Sequence, residues 1–167
     1  MRKIQTPISD DDVINDLKVG DKISLSGLMY CGRDAVLPKL VKSIEEDDIE
    51  KYPFDFKGMA IMHTAFSVAG IAPTTSNKAE IESSIPMLSK AGVKFHIGKG
   101  SLSDETKEIL NKYNSVFIVT PPVAALLTNN VISKKCVAYE EEGMEAFCEL
   151  EVKDIPGIVA IAHGESL

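Results

Sequence analysis

Tryptophan is absent, cysteine occurs only three times, and no apolar run is long enough for a membrane span. The longest such run, residues 59–73, is broken by His63, Thr64 and Ser67 and falls short of the roughly 20 apolar residues a spanning helix needs. Cys31, Cys136 and Cys148 are odd in number, far apart and without a C-x-x-C pair, which suggests neither a disulfide framework nor a self-contained metal or cluster site. Basic residues are in deficit, 18 against 25 acidic, for a net charge of -7. That balance argues against a protein that grips nucleic acid or an anionic membrane through its whole surface, while leaving room for a small basic pocket. There is no Walker loop, no G-x-G-x-x-G and no internal repeat, so nucleotide binding has little support. Residues 1–12 carry no apolar segment of the secretory kind, and the expected location is the cytoplasm.

What remains is 167 residues, 44% hydrophobic and 26% charged, enough for one domain with a real core. The most informative stretch is Gly70-Ile71-Ala72-Pro73-Thr74-Thr75-Ser76-Asn77-Lys78. A polar, glycine-led loop between an apolar run and a helical pattern predicts a strand-to-helix turn. There, backbone N–H groups and the positive end of the helix dipole can meet a ligand. Thr74 and Lys78 are the first candidates. The same residues also read as an ordinary helix start, with Asn77 and Glu80 as a capping box.

Along the chain, a strand is expected over 22–31 with a bend at Gly27, and a helix over 33–48 with Pro38 near its start. A buried strand is expected over 59–66. A helix over 79–90 should be kinked or divided near Ser84 by Pro86, and Ala91-Gly92 should stop it. A strand over 93–98, a helix over 103–113 capped by Ser103, and a strand over 116–120 follow. Residues 123–127 have a helical pattern. Strands are expected over 136–139, 147–152 and 158–162, the last two separated by Pro156-Gly157. Strands alternating with helices predict an α/β domain with a largely parallel central sheet and further β structure at its ends.

Three cations, Arg33, Lys78 and Lys99, stand beside glycines or hydroxyls in strand-to-helix loops. Converging on one sheet edge, they would suit a small ligand with two carboxylates or a phosphate. Arg33 also reads as a surface partner of Asp34. His63 reads either as a group near the site or as a satisfied core histidine, and His96 as structural.

Several motifs occur in a telling order: Leu17-Lys18-Val19-Gly20-Asp21, Gly32-Arg33-Asp34-Ala35, Ala60-Ile61-Met62-His63, Pro73-Thr74-Thr75-Ser76, Gly98-Lys99-Gly100 and Glu142-Gly143-Met144-Glu145-Ala146. Together they resemble the beta subunit of class I iron–sulfur fumarases and L-tartrate dehydratases over nearly the whole chain. The resemblance implies a single domain, residues 1–167, of the three-layer swivelling β/β/α kind. It implies a hydro-lyase that reversibly hydrates a dicarboxylate double bond, fumarate to L-malate or, alternatively, a tartrate dehydratase. Arg33, Lys78, Lys99, Thr75 and Gly100 would bind substrate, Thr74 would act as base, and Asp34 and His63 would stand behind them. The [4Fe–4S] cluster would belong to a larger alpha subunit, with a labile iron acting as Lewis acid, in an expected α2β2 assembly. No metal ligand, nucleic acid or membrane partner is expected of this chain. Lys78 replaces the arginine common in the family, Leu37 replaces a histidine, and the connection from His63 to Thr74 is shorter than usual. Outside that class, the cations could serve a non-catalytic dicarboxylate-binding module, or the loops could serve assembly alone.

Overall fold

Apolar residues of the strands point to both faces of the sheet, and three buried clusters result, one on the inside and two under the helices. In the computed structural model, which describes residues 1–32, 34–46, 55–64, 66–67, 70–71, 78–120 and 130–167, the strands are β1 (Arg2–Thr6), β2 (Lys22–Cys31), β3 (Ala60–Met62), β4 (Phe66–Ser67), β5 (Gly70–Ile71), β6 (Phe95–Gly98), β7 (Val116–Val119), β8 (Val131–Ala138), β9 (Phe147–Ala162) and β10 (Glu165–Ser166). The helices are α1 (Asp12–Asn15), α2 (Leu37–Glu45), α3 (Lys78–Lys90) and α4 (Asp104–Lys112), with a 3-10 helix at Glu140–Glu145.

β4 and β5 pair with each other, and the remaining eight strands form one sheet. β1 with β2, β2 with β3, β3 with β6 and β6 with β7 are parallel. Every pairing of β9, with β2, β7, β8 and β10, is antiparallel. The sheet is therefore mixed, which corrects the expectation of a largely parallel one. The expectation failed because the three strands anticipated near the end of the chain are a hairpin, β8 and β9, whose second arm reaches across the molecule. Pro156-Gly157 does not end β9; the strand bends at Asp154, whose φ is 56°, and a register irregularity opposite Ser26 absorbs the change.

β9 also closes the sheet into a ring of β2, β3, β6, β7 and β9. Cys31 pairs with Met62, Met62 with Ile97, Ile97 with Ile118, and Ile118 with Val159. Val159 N–H then donates to the carbonyl of Asp21 at 2.9 Å. One circuit thus returns to the β2 end of the ring ten residues earlier (31 − 21), the stagger that tilted strands need to close. Ile23, Leu25, Met29, Ala60, Met62, Phe95, Ile97, Val116, Ile118 and Val159 fill the inside. On the opposite face of the same strands, Tyr30, Ile61 and Phe117 pack under α2, α3 and α4 with Leu40, Leu88, Ile85 and Leu110.

The helix expected over 33–48 is the shorter α2, with Pro38 in its first turn where a missing N–H costs nothing. α3 runs through Pro86 without division, because Ile81, Ile85 and Leu88 on either side of it are fully buried and hold both halves to the sheet. The strand expected over 59–66 is confined to β3 plus the small β4–β5 hairpin. Residues 123–127, and with them the expected helix there, lie outside the described residues.

Candidate functional site

Parallel strands end together, and here four of them do so in register. Cys31, Met62, Ile97 and Ile118 form one row across β2, β3, β6 and β7. The residues just beyond are Gly32, His63, Gly98 and Val119, followed by Arg33, Thr64, Lys99 and Thr120. Gly32 N–H donates to the Met62 carbonyl at 3.1 Å and His63 N–H to the Ile97 carbonyl at 2.9 Å, so the row continues past the formal strand ends. With neighbouring strands about 4.8 Å apart, the carboxyl ends of β2 and β6 lie about 10 Å from each other.

α3 also reaches this edge. Its C-terminal end lies at the amino ends of the strands, where Gly58 N–H donates to the Gly92 carbonyl and Lys94 N–H to that of Met59, both at 2.9 Å. Its first turn therefore lies at the carboxyl ends. Ile81 stands beside Gly98, and the Glu82 carboxylate accepts the Ser103 N–H. Lys78 opens α3, so its backbone and the Lys99-Gly100 loop share this edge. Lys99 and Gly100 are exposed. Gly100 has φ 89°, a left-handed turn that a side chain would strain. Ser103 closes the loop as the cap of α4, its hydroxyl accepting the Thr106 N–H at 3.2 Å.

Of the residues singled out from sequence, Lys99, Gly100, Asp34 and His63 are described, and Lys78 is placed as the start of α3. Arg33, Thr74 and Thr75 lie outside the described residues. Asp34 is exposed at the head of the turn into α2. His63 is fully buried, its ring 5.9 Å from that of His96. Among the described residues, neither of its ring nitrogens has a hydrogen-bond partner. Burial lowers its pKa to about 4, against the opposing pull of the Asp34 carboxylate. His96 is also fully buried and its Nε2 lies 2.8 Å from the Ser89 hydroxyl; burial, and then His63, hold its pKa well down. Both rings are therefore neutral near pH 7.

Sequence reasoning overlooked Glu82, Phe147 and Lys39. Glu82 ties the Lys99 loop to α3. A side chain at Gly32 would meet the Phe147 ring at 2.9 Å and Val36 at 3.0 Å, so the loop that leads to Arg33 is seated on β9. Lys39 pairs with Glu142, fastening the 3-10 helix and its Gly143-Met144-Glu145-Ala146 motif to α2. No local spacing signals these contacts, since each joins segments distant in sequence. An apolar recess of about 300 Å³ lined by Met1, Val119, Thr120, Pro156 and Ile158 opens at the end of β7. A larger cavity, about 640 Å³, lies away from the edge beside β1 and α1. Its lining mixes Arg2 and Lys3 with Asp10, Asp12 and Asp16, so we place the candidate site at the strand ends, where the exposed Lys99-Gly100 turn and the first turn of α3 lie.

Among the described residues, no group of three or more His, Cys, Asp or Glu side chains could hold a metal ion, and no helix is long and apolar enough to cross a membrane.

Comparison with known proteins matches residues 2–167 to a family model described as the fumarase C-terminus. The L(+)-tartrate dehydratase subunit beta of Escherichia coli K12 is 30% identical over 181 residues, covering 100% of this chain and 87% of that protein. The anaerobic class I fumarate hydratase of the same strain is 26% identical over 156 residues, covering 89% of this chain. The aerobic form is 25% identical over 156 residues. The chain spans only 28% of the length of either fumarate hydratase.

Proposed function

Since the chain belongs to the fumarase C-terminus family, we propose that it is the beta half of a hydro-lyase that reversibly adds water across a dicarboxylate double bond, fumarate to L-malate. The observation that carries this reading is the shared edge: Lys99 and the start of α3 at Lys78 meet at the carboxyl ends of in-register parallel strands, in a protein whose net charge is -7. Local cations at a glycine turn suit a small dianion, which the acidic surface elsewhere would repel.

In this mechanism Arg33 grips one carboxylate with two parallel N–H donors, and Lys99 and Lys78 hold the other as point charges. Thr75 and the Gly100 turn complete the wall. Thr74 takes the proton from the carbon next to the departing hydroxyl. Its hydroxyl is a weak base unaided, so the neighbouring cations must stabilise the negative charge that develops there. Asp34 and His63 stand behind the Arg33 loop. In the same proposal residues 1–167 act as one three-layer swivelling domain, α2, α3 and α4 over the sheet, sitting as a lid on an alpha subunit in an α2β2 assembly in the cytoplasm. The described side chains do not fit an iron–sulfur cluster, so the cluster is assigned to that partner.

A second reading, L-tartrate as substrate, is favoured by the 87% of the tartrate dehydratase beta subunit that the chain spans. The test is anaerobic fumarate hydration and tartrate dehydration by the chain alone and with a cluster-loaded alpha subunit. Activity with the complex only, reduced about 100-fold or more by Thr74→Ala, is the expected result. A Thr74→Ala complex as fast as the unmodified one would overturn the assignment, and the ratio of the two activities decides between substrates.

A further inference from the structure

The three cysteines, scattered at positions 31, 136 and 148, meet in one cross-strand row. Cys31 pairs directly with Cys148 across β2 and β9, and Cys136 pairs directly with Cys148 across β8 and β9. All three are free thiols. Residues directly opposite in a sheet point to the same face, and the Cys136 and Cys148 sulfurs lie 3.2 Å apart. An S–S bond is about 2.0 Å long and needs Cα atoms about 4.4–6.8 Å apart. Directly paired antiparallel residues lie about 4.5–5.5 Å apart, inside that window. Closing the bond therefore calls for side-chain rotation and little backbone movement.

Access and reactivity are divided between the two. Cys136 is half-buried, so an oxidant can reach it, while Cys148 is only 1% exposed. Cys148 is held toward thiolate, its pKa lowered to about 6, by the Cys31 thiol, then by the Cys136 thiol and the Lys134 charge, against the cost of burial. Cys136 is pushed the other way, chiefly by burial, so it keeps its proton. Cys31, more deeply buried, is raised chiefly by its hydrogen bond to Cys148.

We propose that Cys136 and Cys148 are a reversible thiol–disulfide site, oxidised by hydrogen peroxide and placed beside the end of β2 that leads into Arg33. The Cys136 proton passes to the Cys148 thiolate 3.2 Å away. The Cys136 thiolate so formed attacks peroxide, and the O–O bond breaks. The sulfur becomes a sulfenic acid, and the departing hydroxide takes the proton back from Cys148 as water. The Cys148 thiolate then attacks that sulfur, the S–S bond forms, the S–O bond breaks, and the departing hydroxide takes up a proton as a second water. Two thiols and one peroxide give one disulfide and two waters, and a dithiol reductant reverses the change. Where intracellular disulfides occur, they are mostly transient and redox-sensing, which suits a half-buried pair. The proposal does not depend on the hydro-lyase reading.

The test treats the full-length folded chain with a small excess of peroxide, quenches in acid, and alkylates after unfolding. Expected are a fall from three alkylated cysteines to one, a mass lower by two hydrogens, and a peptide joining Cys136 to Cys148 that dithiothreitol separates. Cys31→Ser should keep that peptide and Cys136→Ser should lose it. Three thiols surviving a dose that oxidises free cysteine, a Cys31–Cys148 link in the unmodified chain, or a link between two copies would each overturn the proposal. The peptide map of the unmodified chain decides the matter even where a variant fails to fold.

Discussion

At the scale of single residues, His63 is the most consequential buried group. Its pKa in the fold, about 4, lies below the ordinary 6.5, so the unfolded chain takes up its proton first. The stability its neutral burial supports is complete above pH 6.5 and is lost as the pH falls from there toward 4, on the order of 3 kcal/mol at most. His96 acts in the same direction. Urea unfolding at pH 7, 6, 5 and 4 should show the decline, and His63→Gln should flatten part of it; an unchanged slope would remove His63 as a cause. Gly32→Ala should cost about 1–3 kcal/mol by driving a methyl into Phe147. In the complex it should also weaken substrate binding, through the adjoining Arg33 loop. Differential scanning calorimetry and KM would measure the two effects.

At the scale of elements, the candidate site depends on α3 and α4 as well as on the strand ends. Ser103 both caps α4 and presents the N–H that Glu82 accepts. Ser103→Ala should lower stability by about 1 kcal/mol from the lost cap, without touching the backbone link to Glu82. Glu82→Ala leaves the Ser103 N–H unpaired and loosens the Lys99 loop, so it should raise KM more than it lowers the melting temperature. A Glu82→Ala complex with unaltered KM would detach that loop from the site. The cap was readable because a hydroxyl three residues ahead of its N–H partner is a local pattern. The uninterrupted α3 was not. Pro86 argues for a break by local rules, and only the burial of Ile81, Ile85 and Leu88 overrides it.

At the scale of the molecule, the closed ring makes inside and outside interdependent. Phe95 fills the inside and Phe117 lies under the helices, both fully buried. Phe95→Ala and Phe117→Ala should each cost about 3–5 kcal/mol, and each variant should still unfold in one transition by circular dichroism and fluorescence. Two separated transitions would mean that the ring and the helical layer fold independently.

Local chemistry was sufficient for much of this. Alternation marked β2 and β6, and a short apolar run marked β7. The helical spacing of Val36, Leu37 and Leu40 marked α2 though not its bounds, Ser103 marked the start of α4, and glycines or hydroxyls near cations in strand-to-helix loops marked Lys99 and Lys78 as candidates. These follow from residues within a few positions of one another, where propensity and periodicity act. Three things were decided only by the folded chain: the antiparallel closure by β9, the burial of His63 against His96, and the meeting of Cys31, Cys136 and Cys148. Each joins segments far apart in sequence through register and stagger, which are set by how the whole ring packs.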